Sequence, residues 1–220
     1  MNKPLVIFGT GEIAQLAHYY FTQDSRQVAG FAVDRAFQKS DEFCGLPVVA
    51  FEEIEQRFPA ATHDLFVALA YAGLNELRKQ KYLAGLALGY RLASYVSPRA
   101  TVLNGGQIGD NCFILEDNTI QPFARIGNNV TLWSGNHIGH HSTIRDHCFI
   151  SSHVVVSGGV DIGEACFIGV NATLRDHIQV GERCIVGAGA LLLSDAPPEG
   201  VYIGSATERS RVPSTRLRKI

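Results

Sequence analysis

The chain lacks most of the features that would place it quickly. In 220 residues it has one Met, one Trp and no CxxC pair. No apolar run approaches the ~18 residues of a membrane-crossing helix. No charge of one sign dominates: 19 basic residues face 21 acidic ones, for a formal net charge of -2, which argues against a dedicated nucleic-acid binder. The apolar stretch Leu5-Val6-Ile7-Phe8 is short and runs into Gly9, so it reads as a first strand and not a signal peptide. A cytoplasmic protein is the resulting expectation. Five Cys is an odd number, which disfavours a disulfide framework and, without CxxC, a zinc knuckle. An apolar content of 46% excludes general disorder, and the length allows one large domain or two small ones. Two residue types are plentiful: 22 Gly, and eight His of which six fall between 137 and 177.

A repeat decides the architecture. Every sixth residue from Val96 to Leu192 is Val, Ile or Leu, without a break in register. Neither the 3.6-residue helical period nor the two-residue period of a strand produces this. Two positions before each aliphatic stands a small or modest residue, such as Ala100, Cys112, Ser142 or Ala190. Directly after it stands Gly at 109, 127, 139, 163, 169, 181 and 187, read here as serving a tight turn. This is the hexapeptide repeat of a parallel β-helix, three hexapeptides to a coil of about 18 residues. Residues 18 apart then lie above one another at the ~4.8 Å strand spacing. Cys112, Cys148, Cys166 and Cys184 fall on the small interior position and behave as core hydrophobes. Cys44 stands alone in a loop.

The first ninety residues follow a different pattern. Strands are expected at 5–8, 28–33, 46–49 and 65–70, and helices at 12–22, 51–58 and 75–88, which implies a small parallel sheet with helices on both faces. Gly9-Thr10-Gly11-Glu12-Ile13-Ala14 is a GxGxxA turn between strand and helix, a place for a diphosphate. Asp34 ends the second strand, where an acid suits a ribose or base. A structural turn without phosphate is the alternative. An NAD-dependent oxidoreductase is disfavoured, because a β-helix and not a catalytic domain follows.

The chemistry is sought at His140 and His141. Ile138 and Ser142 take the inward slots, so both imidazoles face outward. Surface polarity is the plain alternative. Eighteen residues on from the pair stand Gly158 and Gly159, which places a base under a backbone without side chains. A thioester carbonyl resting there would find the Gly158 N–H for its oxyanion and His140 for the proton of an attacking amine or hydroxyl.

With Ile7-Phe8-Gly9-Thr10-Gly11, Gly30 to Asp34, Leu46-Pro47-Val48, the Arg78-Lys79 helix, Ser97 to Ala100, the hexapeptides and Val201 to Ala206, the chain resembles the bacterial sugar acetyltransferases. These include sialic acid O-acetyltransferases and the N-acetyltransferases of nucleotide-linked amino-deoxy sugars of the bacillosamine and perosamine type. The resemblance implies a Rossmann-like nucleotide-sugar-binding domain at 1–93. It implies a left-handed parallel β-helix acetyltransferase domain at 94–195 and a C-terminal cap or tail at 196–220. It implies a cytoplasmic homotrimer that uses acetyl-CoA as co-substrate and no metal, acting on a 4-amino-4,6-dideoxy sugar for surface-polysaccharide (lipopolysaccharide, O-antigen) or glycan biosynthesis.

The family's catalytic histidine matches His140. Its acidic partner falls on His141, its second histidine on Phe149 and an asparagine on Trp133. The thioester carbonyl meets the N–H matching Gly158, and the pantetheine contacts match Val170 and Ala188. The nucleotide sits on the loop matching Gly9, Thr10, Gly11 and Glu12, with its base near Asp34 and Arg35. Tyr71 takes a position where the family has a Gly-Asn pair. No activated Ser or Cys stands out, so the amine attacks the thioester directly. Sugar or sialic acid O-acetylation, zinc held by histidines across subunits and a non-catalytic scaffold are the competing readings.

Overall fold

A computed structural model describes residues 3–216; Met1, Asn2 and residues 217–220 of the expected tail lie outside the described residues. The chain opens with β1 (Leu5–Phe8), α1 (Glu12–Gln23), β2 (Val28–Val33), β3 (Glu42–Phe43), β4 (Leu46–Ala50), α2 (Ile54–Arg57), β5 (Asp64–Val67) and α3 (Glu76–Ala87). The sheet order is β3-β4-β2-β1-β5, parallel except for the β3–β4 hairpin. That hairpin, turning on exposed Cys44 and Gly45, has no signal in the apolar pattern because β3 is two residues long. The expected helix at 51–58 is a 3₁₀ turn, Phe51–Glu53, followed by the four residues of α2. Ala14, Ala17 and Phe21 of α1 are buried with Phe31 and Phe66, whereas Ile54 and Tyr82 are buried with Phe8 and Val67. The sheet is therefore covered on both faces.

From Tyr95 onward, two-residue strands stack into three parallel sheets, each strand pairing with the one 18 residues later, as Thr131 with Phe149 and Ile138 with Val156. The first face runs from Tyr95–Val96 through Phe113–Ile114 to Val201–Tyr202, the second from Thr101–Val102 to Leu191–Leu192, and the third from Arg125–Ile126 to Gln179–Val180. Interior aliphatics such as Ile114, Leu132, Ile138, Ile150 and Leu174 have no solvent exposure. At about 25 cal/mol per Å² this column is the main driving force for the repeat region. The four core cysteines are also fully buried, each Sγ lying 3.1 Å from a backbone carbonyl oxygen. Stacking continues beyond residue 195: Val186 pairs with Tyr202, a spacing of 16 that the six-residue register cannot reveal.

The glycine reading needs correction. Glycines after the aliphatic do not supply the left-handed turn. They allow close stacking: a Cβ on Gly139 would sit 2.5 Å from the Ser157 carbonyl carbon. The left-handed conformation instead recurs at every sixth residue from Gly105 to Gly189, through Asn111, Asp117, Asn129, His141, His147, His153, Asn171 and His177. Asn, Asp and His tolerate this region better than most side chains. Four of the six clustered histidines are thus turn residues first.

Candidate active site

His140 lies at the corner between the second and third faces. Gly139 lets that turn approach the coil above, and buried Ser142 locks it there. The Ser142 hydroxyl donates to Ser157 O (2.8 Å) and accepts from Val160 N–H (3.2 Å). His140 N–H donates to Gln121 Oε1 (2.9 Å), and its carbonyl accepts from Gly159 N–H (2.8 Å). The imidazole rises under Gly158: a Cβ there would lie 2.7 Å from both Nε2 and Cε1. At the corner between the third and first faces, the N–H groups at the same hexapeptide position are capped by side chains, Asp110 N–H by Asn128 Oδ1 (2.9 Å) and Asn128 N–H by Asp146 Oδ1 (2.7 Å). Gly158 N–H has no acceptor among the described residues. A proton acceptor and an uncommitted N–H therefore face one another beside a half-buried glycine.

The partner of His140 is a second imidazole. His141 Nδ1 lies 3.1 Å from His140 Nδ1. One nitrogen donates and the other accepts, so a proton on His140 Nδ1 leaves Nε2 as a lone pair on the Gly158 side. The His141 ring in turn rests on Phe123, centroids 4.7 Å apart. Gly158→Ala is expected to leave the fold intact and lower turnover about tenfold by displacing the His140 ring. Steady-state kinetics beside a thermal melt check this.

The remaining expected residues fall into two groups. Gly9, with φ +121°, brings the loop after β1 within reach of Ala68, whose carbonyl would be 2.8 Å from any Cβ. Gly11 precedes α1 with no side chain capping the helix, and open space surrounds its Cα; Thr10 and Glu12 flank it. Asp34 sits at the same sheet edge but is held by Lys81, whose ammonium also lies 5.4 Å from the rings of Phe8 and Phe51. Arg35 pairs with Glu53, and its N–H donates to Glu52, which lowers the Glu52 carboxyl through backbone hydrogen bonds, its own first. Tyr71, just beyond β5, is half exposed and packs on Phe149 and Phe167 of the first face, centroids 5.0 and 4.8 Å away. Trp133 packs into the core shared by α1 and that face. Val170 and Ala188 are exposed at the corner between the first and second faces, not at the corner of His140 and Gly158. Lys81 and Gln121 were not singled out by sequence, since neither lies a whole coil from its partner.

Among the described residues no group of three or more His, Cys, Asp or Glu stands ready for a metal ion. No helix there is long and apolar enough to cross a membrane.

The stacked three-faced coils define a hexapeptide-repeat protein, fitting a left-handed β-helix, with a mostly parallel α/β sheet in front. The bacterial transferase hexapeptide (six repeats) family model matches residues 105–139, 123–158 and 159–194. Among solved structures, PerB from Caulobacter crescentus, in complex with CoA and GDP-perosamine, is 25% identical with a TM-score of 0.80, covering 91% of this chain and 94% of that one. The acetyltransferase domain of PglB from Neisseria gonorrhoeae is 24% identical with a TM-score of 0.82, covering 92% and 97%. WeeI from Acinetobacter baumannii shares the fold at 17% identity, with a TM-score of 0.80 and coverage of 91% and 96%. No curated protein sequence matches the chain. The chain thus carries bacterial transferase hexapeptides and shares the fold of PerB and of the PglB acetyltransferase domain.

Proposed function

We propose that this chain is an acetyl-CoA-dependent N-acetyltransferase acting on a nucleotide-linked amino-deoxy sugar. The observation that carries the reading is the His140 ring set against Gly158 with its open N–H. The sugar amine attacks the thioester carbonyl, His140 Nε2 takes the amine proton, and Gly158 N–H holds the oxyanion. Collapse releases CoA and the amide. The buried cysteines do not serve as nucleophiles; burial raises the Cys112 thiol to about 12 and the Cys148 thiol well above the ordinary thiol range.

Residues 1–93 form the nucleotide-sugar domain in this reading. Gly9 to Glu12 cradle the diphosphate at the start of α1, Asp34 and Arg35 meet the nucleoside, and Tyr71 and Trp133 flank the sugar. Three strand ends support this, because Gly9, Asp34 and Tyr71 all follow the C-terminal ends of parallel strands, where ligands of open α/β sheets bind. Gly158 on one corner and Val170 and Ala188 on another contact acetyl-CoA across a groove between copies of the chain. A homotrimer is the assembly we assign, supported by exposed Val155 and Leu191 on the second face and Leu193 beyond it. The cytoplasm, source of both substrates, is the assigned compartment, and surface-polysaccharide biosynthesis the assigned purpose.

The test offers UDP-, dTDP-, GDP- and CMP-linked amino sugars with acetyl-CoA. One acceptor is expected to yield an acetyl product that survives mild alkali. An alkali-labile product would assign a hydroxyl acceptor instead, and no product with any acceptor would overturn the reading.

A further inference from the structure

A second imidazole faces the same glycine pair from above. His177, one coil beyond Gly159 in the left-handed turn position, leans down so that a Cβ on Gly159 would lie 2.4 Å from its Nδ1 and 2.7 Å from its Cε1. Its N–H donates to Gly158 O (2.9 Å), which ties the two turns together. The dipeptide Gly158-Gly159 is therefore bracketed, His140 below Gly158 and His177 above Gly159. A Cβ on either glycine would meet a histidine ring, yet the left-handed turn does not call for histidine at 177, since Asn serves the same turn at 111, 129 and 171. The His177 side chain is exposed and makes no hydrogen bond to the described protein, unlike His141 and His147. Asp176 precedes it, and Asp195, at the next step of the same corner, is engaged with Gln179 N–H (2.8 Å).

We propose that His177 is the general acid of the reaction, protonating the departing thiolate. This rests on the acetyl-transfer reading above. With the carbonyl oxygen on Gly158 N–H and the amine on the His140 side, the sulfur leaves towards His177. The C–N bond forms and its ammonium proton passes to His140 Nε2. The carbonyl re-forms, the C–S bond breaks with its electron pair on sulfur, and the sulfur takes a proton from the His177 imidazolium. Solvent then returns a proton to His177 and removes one from His140, so the net products are the amide and CoA thiol.

The experiment uses His177→Asn, because Asn occupies the same conformation elsewhere in the repeat, with His177→Gln as a second variant and a thermal melt for each. Turnover with acetyl-CoA is expected to fall about 100-fold, the low end of the range for general-acid catalysis, while KM for acetyl-CoA stays within about threefold. With an aryl thioester, 4-nitrothiophenyl acetate, whose thiolate needs no proton to depart, the variant-to-wild-type ratio is expected near unity. Turnover within about threefold of wild type, a raised KM with turnover retained, or equal losses with both donors would overturn the proposal. Wild-type protein that acetylates no nucleotide-linked amino sugar would overturn the proposed function instead, so the two failures are told apart.

Discussion

His140→Ala is expected to slow acetyl transfer about 1000-fold, the scale on which a positioned general base acts. The loss should fall on turnover, with the KM for both substrates nearly unchanged, because the Gly158 N–H and the binding loops stay in place. No neighbour can substitute. The His141 ring rests on Phe123 with its Nδ1 turned to the His140 ring, and the atoms nearest a Cβ on Gly158 are all of His140. His141→Asn separates base from orienter: it keeps the left-handed turn and removes the second imidazole, and about a tenfold loss is expected. His140→Ala activity within tenfold of wild type would sink the base assignment.

Arg78→Ala is expected to cost about 3–4 kcal/mol of stability, the range for removing one partner from a buried charged network. Its side chain is almost wholly buried where α3 meets the first face. The guanidinium donates to Thr131 Oγ1, to Asn75 Oδ1 (3.1 Å), and to the carbonyls of His147 and Cys148 (both 3.1 Å). It faces the Phe149 ring at 5.7 Å. Burial without a carboxylate lowers its pKa to about 10, still cationic near neutrality. Asn75 beside it donates to Cys166 O (3.2 Å), so two residues at the start of α3 pin the front sheet to three successive coils. At this chain length the loss corresponds to a fall of roughly 10 °C in melting temperature. Tyr71, four residues before Asn75, would lose its seat on Phe149 and Phe167, so acceptor KM is expected to rise as well. A melt within about 2 °C of wild type would contradict this account.

How much was legible follows the same division. The +18 arithmetic that stacked His140 under Gly158 is met in the structure, because coil-to-coil contacts sit at one sequence separation. The burial of Cys112, Cys148, Cys166 and Cys184 is legible for the same reason. What the period hides is backbone conformation within it. Positive φ falls three residues after the aliphatic, at Asn, His, Gly and others, so composition pointed to the wrong glycines and overstated the His cluster as chemistry.

Contacts between the two parts of the chain carry no period at all. Val67 N–H meets Asn111 Oδ1 across 44 residues, continuing through Asn129 to His147, whose imidazole burial lowers. Arg78 meets Thr131 across 53 residues, and Asn75 meets Cys166 across 91. Within each part some contacts also miss the coil spacing, as Asp34 with Lys81 in the front part and Gln121 Oε1 on His140 N–H in the coils. By itself, then, the sequence determined the β-helix, its core, its coil register and the pair His140–Gly158, because a fixed repeat converts sequence distance directly into height. Only the tertiary structure decided that His141 stands as the partner of His140, that His177 closes the glycine pair from above, and how the front sheet is seated. Those depend on which way a side chain leans and on docking between non-periodic segments, and neither leaves a spacing to read.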